Sequence, residues 1–223
     1  MNINKQIIIT TILLLISIYI FGATNIDFMI QNHLYNFNTH TWLLNRDAEP
    51  YRFIFYIAAK KIIIIFGLIL LFSVIFLKNN FVKTHKKGMI VVILSLIFVP
   101  VIVGFLKKET NMPCPKNEIH YGGTMPKTAV WKSYKIPYNQ MPKIKCWPAG
   151  HASGGFALMS LYFLFRKKRN KILGLIFGFT MGWIMGIYKM FIGDHFFSHN
   201  IITMLLAWLI ILIIAKFIKI KNF

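Results

Sequence analysis

Residues 146–155 read CWPAGHASGG, and the apolar run FALMSLYFLF follows directly at 156–165. A polar, glycine-rich segment with a histidine therefore lies at the mouth of an apolar segment. Pro148 suits the first turn of a helix, because the N–H that it lacks is not needed there. The free N–H groups of that turn and the positive end of the helix dipole predict an anion site. His151 lies in this turn, where it can exchange a proton with a bound anion.

The composition around this stretch indicates a membrane protein. The chain has 223 residues, of which 57% are hydrophobic and 14% charged. Apolar runs long enough to span a bilayer recur along it. A nucleic-acid-binding protein could have the formal charge of +20, but not this hydrophobicity. We therefore expect anionic lipids and anionic substrates as partners, and no nucleic acid.

The hydropathy pattern predicts an all-α fold, a six-helix transmembrane bundle formed by a single domain over residues 1–223. The six predicted helices span residues 7–23, 62–77, 89–106, 148–165, 172–190 and 198–217. The first run is too long for the apolar region of a signal peptide, so we treat it as a membrane helix. Residues 25–51 are expected to lie at the membrane interface, and 53–61 to extend the second helix. A long polar loop, 107–147, connects helices three and four.

The distribution of charge predicts the orientation of the bundle. Two short basic segments, 78–87 and 166–171, fall on the same side as the N-terminus and the C-terminal lysines. The positive-inside rule makes that side cytoplasmic. All six acidic residues fall on the opposite side, together with the loop at 107–147 and its eight lysines. A lysine-rich outer loop suits an anionic substrate.

Cys114 and Cys146 both fall in this outer loop. An outer compartment permits a disulfide between them. On the loop-closure model the bridge would stabilise the fold by about 3–4 kcal/mol. Two free thiols are the alternative. A two-cysteine metal site is disfavoured, because no nearby histidine has ligand spacing.

Glycines recur every four residues along the fifth predicted helix, at Gly174, Gly178, Gly182 and Gly186. Small residues on one face allow a neighbouring backbone to approach closely in a membrane. We interpret the series as a packing surface that positions Tyr188 and Lys189 at the outer end of the helix.

Three groups of residues converge on the outer boundary of the predicted bundle, and together they resemble a known family. Their spacing is Lys107, six residues and Cys114-Pro115; then Pro148-Ala149-Gly150-His151; then Tyr188-Lys189, five residues, His195, three residues and His199. This pattern is similar to the signature of the type-2 phosphatidic acid phosphatase family, membrane branch. That signature is Lys, six residues, Arg-Pro; Pro-Ser-Gly-His; and Ser-Arg, five residues, His, three residues, Asp. The paired outer cysteines suggest a bacterial subgroup of the family.

The chain departs from the family signature at several positions. Cys114 replaces an Arg, Ala149 a Ser, and His199 an Asp; Tyr188-Lys189 replaces Ser-Arg. Lys189 keeps the charge of the Arg but not its bidentate geometry. The charge lost at Cys114 could be supplied by a nearby lysine, and the sequence leaves three candidates open: Lys108, Lys116 and Lys145.

The resemblance implies a catalytic mechanism without metal or cofactor. His195 would attack phosphorus to form a phosphohistidine, and His151 would protonate the leaving oxygen and then activate water. His199 would accept the N–H of His195. The phosphoryl oxygens would be held by Lys107, Lys189 and the backbone at Ala149 and Gly150. The spacing of His195 and His199 also occurs in zinc helices, but the chain lacks the Glu of that motif and no third ligand is evident.

The predicted function is that of a lipid phosphatase in the bacterial cytoplasmic (inner) membrane, with its active site on the periplasmic face. The expected substrate is a lipid phosphomonoester or pyrophosphate, and the lysine-rich loop favours lipid A phosphate or undecaprenyl pyrophosphate. Two alternatives remain: a lipid phosphotransferase, and a catalytically silent lipid-phosphate binder or carrier. A channel or transporter is disfavoured, because the predicted helices two to six contain few polar residues.

Overall fold

A computed structural model describes residues 2–220 of the chain; Met1 and residues 221–223, including Lys221 of the predicted basic tail, lie outside the described part. The α-helices are α1 (Ile3–Ala23), α2 (Ile26–Gln31), α3 (Ala59–Phe76), α4 (Asn80–Glu109), α5 (Gly150–Ala157), α6 (Lys168–Phe191) and α7 (Phe197–Phe217). Two short antiparallel strands, β1 (Tyr35–Asn36) and β2 (Thr41–Trp42), form a hairpin in which Tyr35 lies opposite Trp42.

Five helices of the described chain are long and apolar enough to cross a membrane. They are α1, α3 together with the π-helical segment Phe53–Ala58 that precedes it, α4, α6 and α7. The predicted class, a polytopic helical membrane protein, is confirmed. The predicted count of six long helices is not reproduced, because residues 148–165 do not form one continuous α-helix. The α-helix α5 begins at Gly150 rather than Pro148, and the chain continues as a 3-10 helix over Leu158–Phe163.

The glycine series of α6 explains the close packing of this short central segment. A Cβ at Gly178 would collide with the backbone of Met159, and one at Gly182 would collide with the ring of Phe156. The backbone of α6 therefore lies directly against α5 and the 3-10 helix that follows it, which confirms the packing role predicted for the glycines. α5 is enclosed by α4, α6 and α7, and Phe156 at its centre is fully buried.

The basic segment predicted as a loop at 78–87 belongs mostly to α4. Asn79 caps this helix, and its Oδ1 accepts the N–H of Val82 at 2.9 Å. Lysines are good helix formers and most of those here are exposed, so the helix continues through them. At its other end α4 extends to Glu109 and includes Lys107. Lys83 and Lys107 are separated by about 36 Å along the helix, so the two ends of α4 lie at opposite faces of the bundle.

The predicted interfacial stretch at 25–51 folds over the end of the bundle that carries Lys107, which we call the loop end. Gln31 is buried there and donates from Nε2 to the carbonyl of Met190 at 2.8 Å. The indole of Trp42 occupies the space that a Cβ at Gly193 would need. Gly193 also has φ of 71°, a backbone conformation that favours glycine. These contacts fix the short segment between α6 and α7.

Candidate active site

The candidate active site is a cavity of about 600 Å³ at the loop end of the bundle. Its polar and small lining residues are Arg46, Tyr56, Lys60, Lys107, Cys114, Lys116, Lys145, Cys146, Gly150, His151, Ser153, Gly154, Lys189, Asp194 and His195. Its apolar lining residues are Ile63, Ile64, Leu96, Pro100 and Met185. All three motif groups thus contribute to one cavity. Among the predicted site residues, Ala149 and His199 are buried and do not line it.

His195 is held by contacts to one of its two ring nitrogens. Its Nδ1 lies 3.4 Å from Nδ1 of His199 and 3.7 Å from Sγ of Cys146. One of the two facing Nδ1 atoms must donate the shared hydrogen. Burial lowers the pKa of His195 well below its ordinary value, and His199, Lys107 and Lys189 lower it further. A neutral His195 that donates from Nδ1 keeps a lone pair on Nε2.

His151 is oriented by the segment that precedes α3. Its Nε2 lies 2.9 Å from the carbonyl oxygen of Phe55, and its ring stacks on Tyr56 at 4.6 Å between centroids. Because a carbonyl only accepts, Nε2 of His151 carries the hydrogen, and Nδ1 is the nitrogen that can exchange a proton. Tyr56 also contacts Lys189, whose Nζ lies 4.4 Å from the centroid of the Tyr56 ring. Tyr56 therefore positions both His151 and Lys189.

The first turn of α5 opens into the cavity at Gly150. A Cβ placed on Gly150 would lie 3.6 Å from Cδ of Lys107 and 3.8 Å from its Nζ. The preceding N–H, that of Ala149, donates instead to Oγ1 of Thr203 at 2.8 Å. Gly150 and Lys107 thus adjoin at the cavity wall, whereas the N–H of Ala149 is already bonded within the fold.

Asp194 forms ion pairs with three cationic side chains of the site. Its carboxylate lies 2.7 Å from Nζ of Lys116, 2.8 Å from Nζ of Lys189 and 3.5 Å from the guanidinium of Arg46. Burial alone would raise the pKa of Asp194, but the hydrogen bonds from Lys116 and Lys189 outweigh it and hold this pKa below its ordinary value. The carboxylate is therefore ionised at neutral pH, and it holds together cationic side chains that are far apart in the sequence.

The Cys114–Cys146 disulfide is present, with the two Cα atoms 5.3 Å apart. It joins the start of the outer loop to the segment that leads into α5. Sγ of Cys146 belongs to a group of possible metal ligands with His195 and His199, whose ligand atoms lie within 4.8 Å of one another. The spacing of His195 and His199 in the sequence gave no sign of this third residue. A disulfide sulfur is not the thiolate that binds metals, so the bridged form does not offer a three-ligand site.

Several residues of the site were not identified from the motifs. Arg46, Tyr56 and Lys60 precede the region of the signature and have no local pattern that marks them. Of the three lysines considered as replacements for the Arg lost at Cys114, the cavity is lined by Lys116 and Lys145 but not by Lys108. Asp194 is marked in the sequence only by its position directly before His195.

The fold and the cavity define a class: a polytopic helical membrane protein with a cationic site that contains two histidines at one end of its bundle. The PAP2 superfamily model matches residues 88–223, which is more than half of the chain. The chain belongs to the PAP2 superfamily, as the three motif groups predicted. Members of this superfamily are phosphatases, and membership indicates a hydrolase that acts on phosphate esters. No curated protein and no solved structure matches the chain.

Proposed function

We propose that the protein is a lipid phosphatase that hydrolyses a phosphomonoester or pyrophosphate of a membrane lipid through a phosphohistidine on His195. The observation that carries the proposal is the composition of the 600 Å³ cavity. Six cationic side chains face a single carboxylate, that of Asp194, and the cations are Arg46, Lys60, Lys107, Lys116, Lys145 and Lys189. Such an excess of positive charge suits a substrate with several negative charges, as in lipid A phosphate or undecaprenyl pyrophosphate.

The apolar wall of the same cavity supports a lipid rather than a soluble ester. Ile63 and Ile64 lie in α3, and Leu96 and Pro100 lie in α4, both of which are candidate membrane spans. Ile64 is also half exposed on the outer surface of the bundle. A lipid could therefore place its phosphate among the lysines while its chains lie along α3 and α4. A fully soluble phosphate ester would gain nothing from this wall.

In the proposed mechanism each chemical step takes place at a particular atom. Nε2 of His195 would form the bond to phosphorus while the P–O bond to the lipid breaks. The departing oxygen would take a proton from Nδ1 of His151, and this step therefore uses the imidazolium form of His151, which carries a hydrogen on Nδ1 as well as on Nε2. In the second step His151 would take a proton from water, and the resulting hydroxide would break the N–P bond and release inorganic phosphate. Lys107, Lys189 and Gly150 would hold the phosphoryl oxygens as negative charge develops on them.

The charge distribution supports a proposed location of the site relative to the membrane. The loop end carries the acidic residues, while the basic residues of the 83–87 region, Arg166 and Lys171 line a separate cavity that includes the start of α4. By the positive-inside rule the termini would lie in the cytoplasm and the candidate active site would face the periplasm of a bacterial inner membrane.

The direct test is phosphate release by the purified protein in detergent, across a panel of lipid phosphates that includes the two favoured substrates. The wild type is expected to release phosphate from at least one lipid, and His195→Ala is expected to abolish the release. His120→Ala, which alters a histidine outside the cavity, serves as the matched control. A wild type that is inactive on every lipid would refute the proposed function, and an active His195→Ala would refute the role of His195. Product analysis with a lipid acceptor in the membrane separates hydrolysis from phosphotransfer.

A further inference from the structure

A second, smaller cavity lies beside the histidine pair. It has a volume of about 30 Å³ and is lined by His199, whereas His195 lines the large cavity. This volume is sufficient for one water molecule. Its charged lining residues are Asp27, Glu118 and Lys127. The histidine pair therefore has the substrate cavity on one side and two carboxyl groups near the other.

Asp27 is tied directly to the residue before His199. Its Oδ1 accepts the N–H of Ser198 at 2.9 Å, and its Oδ2 accepts the hydroxyl hydrogen of Ser198 at 2.5 Å. The side chain is buried, and burial raises its pKa to about 6 against the opposing effect of the bonds to Ser198. At neutral pH this carboxyl group is largely ionised. It is thus a buried negative charge fixed at the first turn of α7, next to His199.

Glu118 is the second carboxyl group of the small cavity. It is 3% exposed, and its Oε2 has no hydrogen-bond partner among the described residues. Burial raises its pKa to about 8; Lys127 lowers this pKa and Asp27 raises it. Nζ of Lys127 donates hydrogen bonds to the carbonyl of Thr24 and to Oδ1 of Asn25. Glu118 is therefore largely protonated at neutral pH, and Asp27 supplies the negative charge of this cavity.

The His195 ring needs a negative partner during the reaction. When Nε2 bonds to phosphorus the ring becomes cationic, and it can share its Nδ1 hydrogen with His199. A neutral imidazole stabilises a cation less than a carboxylate does. A carboxylate within the protein interior, where the effective dielectric constant is low, can supply the missing stabilisation from a greater distance.

We propose that Asp27 is a positioning residue which stabilises positive charge on the His195–His199 pair and replaces the carboxylate that the third family motif has at position 199. The inference rests on the proposed function, because it concerns the same phosphoryl-transfer site. It assigns a role in that site to Asp27, which lies outside the region matched by the family model.

The test uses orthovanadate, which becomes five-coordinate when a nucleophile bonds to vanadium and then mimics a phosphoryl group in transfer, with the full-length protein in detergent. Asp27→Asn removes the charge but retains an Oδ1 that can accept the N–H of Ser198, so the start of α7 should remain folded. We expect this variant to bind vanadate about tenfold more weakly at neutral pH. Asp27→Glu should restore part of the affinity. The matched control is Asp47→Asn, which removes an acidic residue whose side chain is 79% exposed, and its affinity should equal that of the wild type.

Repeating the vanadate measurement in a His199→Asp variant distinguishes a role in charge stabilisation from a structural role. His199→Asp places a carboxylate beside His195, as in the family signature. In this background Asp27→Asn is expected to weaken vanadate binding less than twofold. An equal loss in both backgrounds, or no loss in either, would overturn the inference. A wild type that binds no vanadate and releases no phosphate would refute the proposed function itself, and the inference would fail with it. A wild type that binds vanadate with unaffected variants would refute the inference alone.

Discussion

Replacing Glu118 with glutamine is expected to stabilise the protein, and the stabilisation should grow as the pH rises. The pKa of this buried carboxyl group is raised from 4.5 to about 8, whereas the unfolded chain keeps the lower value. Between these two pH values the folded state binds more protons than the unfolded state. The free energy of unfolding of the wild type therefore falls as the pH rises through this range. Glutamine does not titrate, so the variant loses this trend.

The magnitude follows from the difference between the two pKa values, which is about 3.5. At about 1.4 kcal/mol for each pKa unit, ionisation of Glu118 costs at most about 5 kcal/mol above pH 8. At about pH 5 the corresponding cost is less than about 1 kcal/mol. For a chain of this size, a difference of about 4 kcal/mol corresponds to a rise on the order of 10 °C in melting temperature.

Melting temperatures of wild type and Glu118→Gln would be measured in the same detergent at about pH 5 and about pH 8.5. Glu109→Gln is the matched control, because it changes an exposed Glu at the end of α4. A stabilisation by Glu118→Gln that is the same at both pH values, or that is absent, would refute the reasoning from burial.

Two further predictions concern the disulfide and the apolar wall. The Cys114–Cys146 disulfide closes a loop with a sequence separation of 32, and its reduction should lower the free energy of unfolding by about 3–4 kcal/mol and reduce activity. Both effects would be measured with and without dithiothreitol, as the melting temperature and as phosphate release. The double variant with both cysteines replaced by serine should show the same loss and no response to the reductant. Ile64→Trp should raise KM for a long-chain lipid phosphate while leaving KM for a short-chain soluble phosphate ester unchanged. The control is Ile69→Trp, on the lipid-exposed surface of α3 outside the cavity, which should change neither KM. An equal effect of Ile64→Trp on both substrates would contradict a lipid path along α3.

Hydropathy predicted the membrane helices well wherever an apolar run ends in a turn. The predicted runs at 198–217 and 172–190 correspond to α7 and α6 within a few residues. The same reasoning failed at 80–87, because lysines disfavour a membrane interior but not a helix. It also failed after Ala157, where the change to a 3-10 helix accompanies the close contact with the glycines of α6. That contact depends on tertiary packing, which a hydropathy pattern does not describe.

The spacing of the motifs predicted the residues that share a cavity, because it identified His151, His195, Lys107 and Lys189 through a resemblance that covers the second half of the chain. It could not predict what surrounds them. Ala149 occupies a motif position, but its N–H is bonded to Thr203. The cation that Cys114 cannot supply could not be chosen from spacing alone, since Lys116 reaches the site through a fold of the outer loop in which its N–H bonds to the carbonyl of Gly193.

The residues before the family region complete the site, and this dependence has a physical reason. His151 receives its tautomer from the carbonyl of Phe55 and its stacking partner from Tyr56. Asp194 is approached by Arg46, and the first turn of α7 is capped by Asp27. Each of these contacts restrains a polar group that would otherwise be buried with unmet hydrogen bonds or charge, a situation that destabilises a fold. The motif residues can therefore be read from their own spacing, but the tautomer of His151 and the hydrogen bonding at the start of α7 depend on the N-terminal part of the chain.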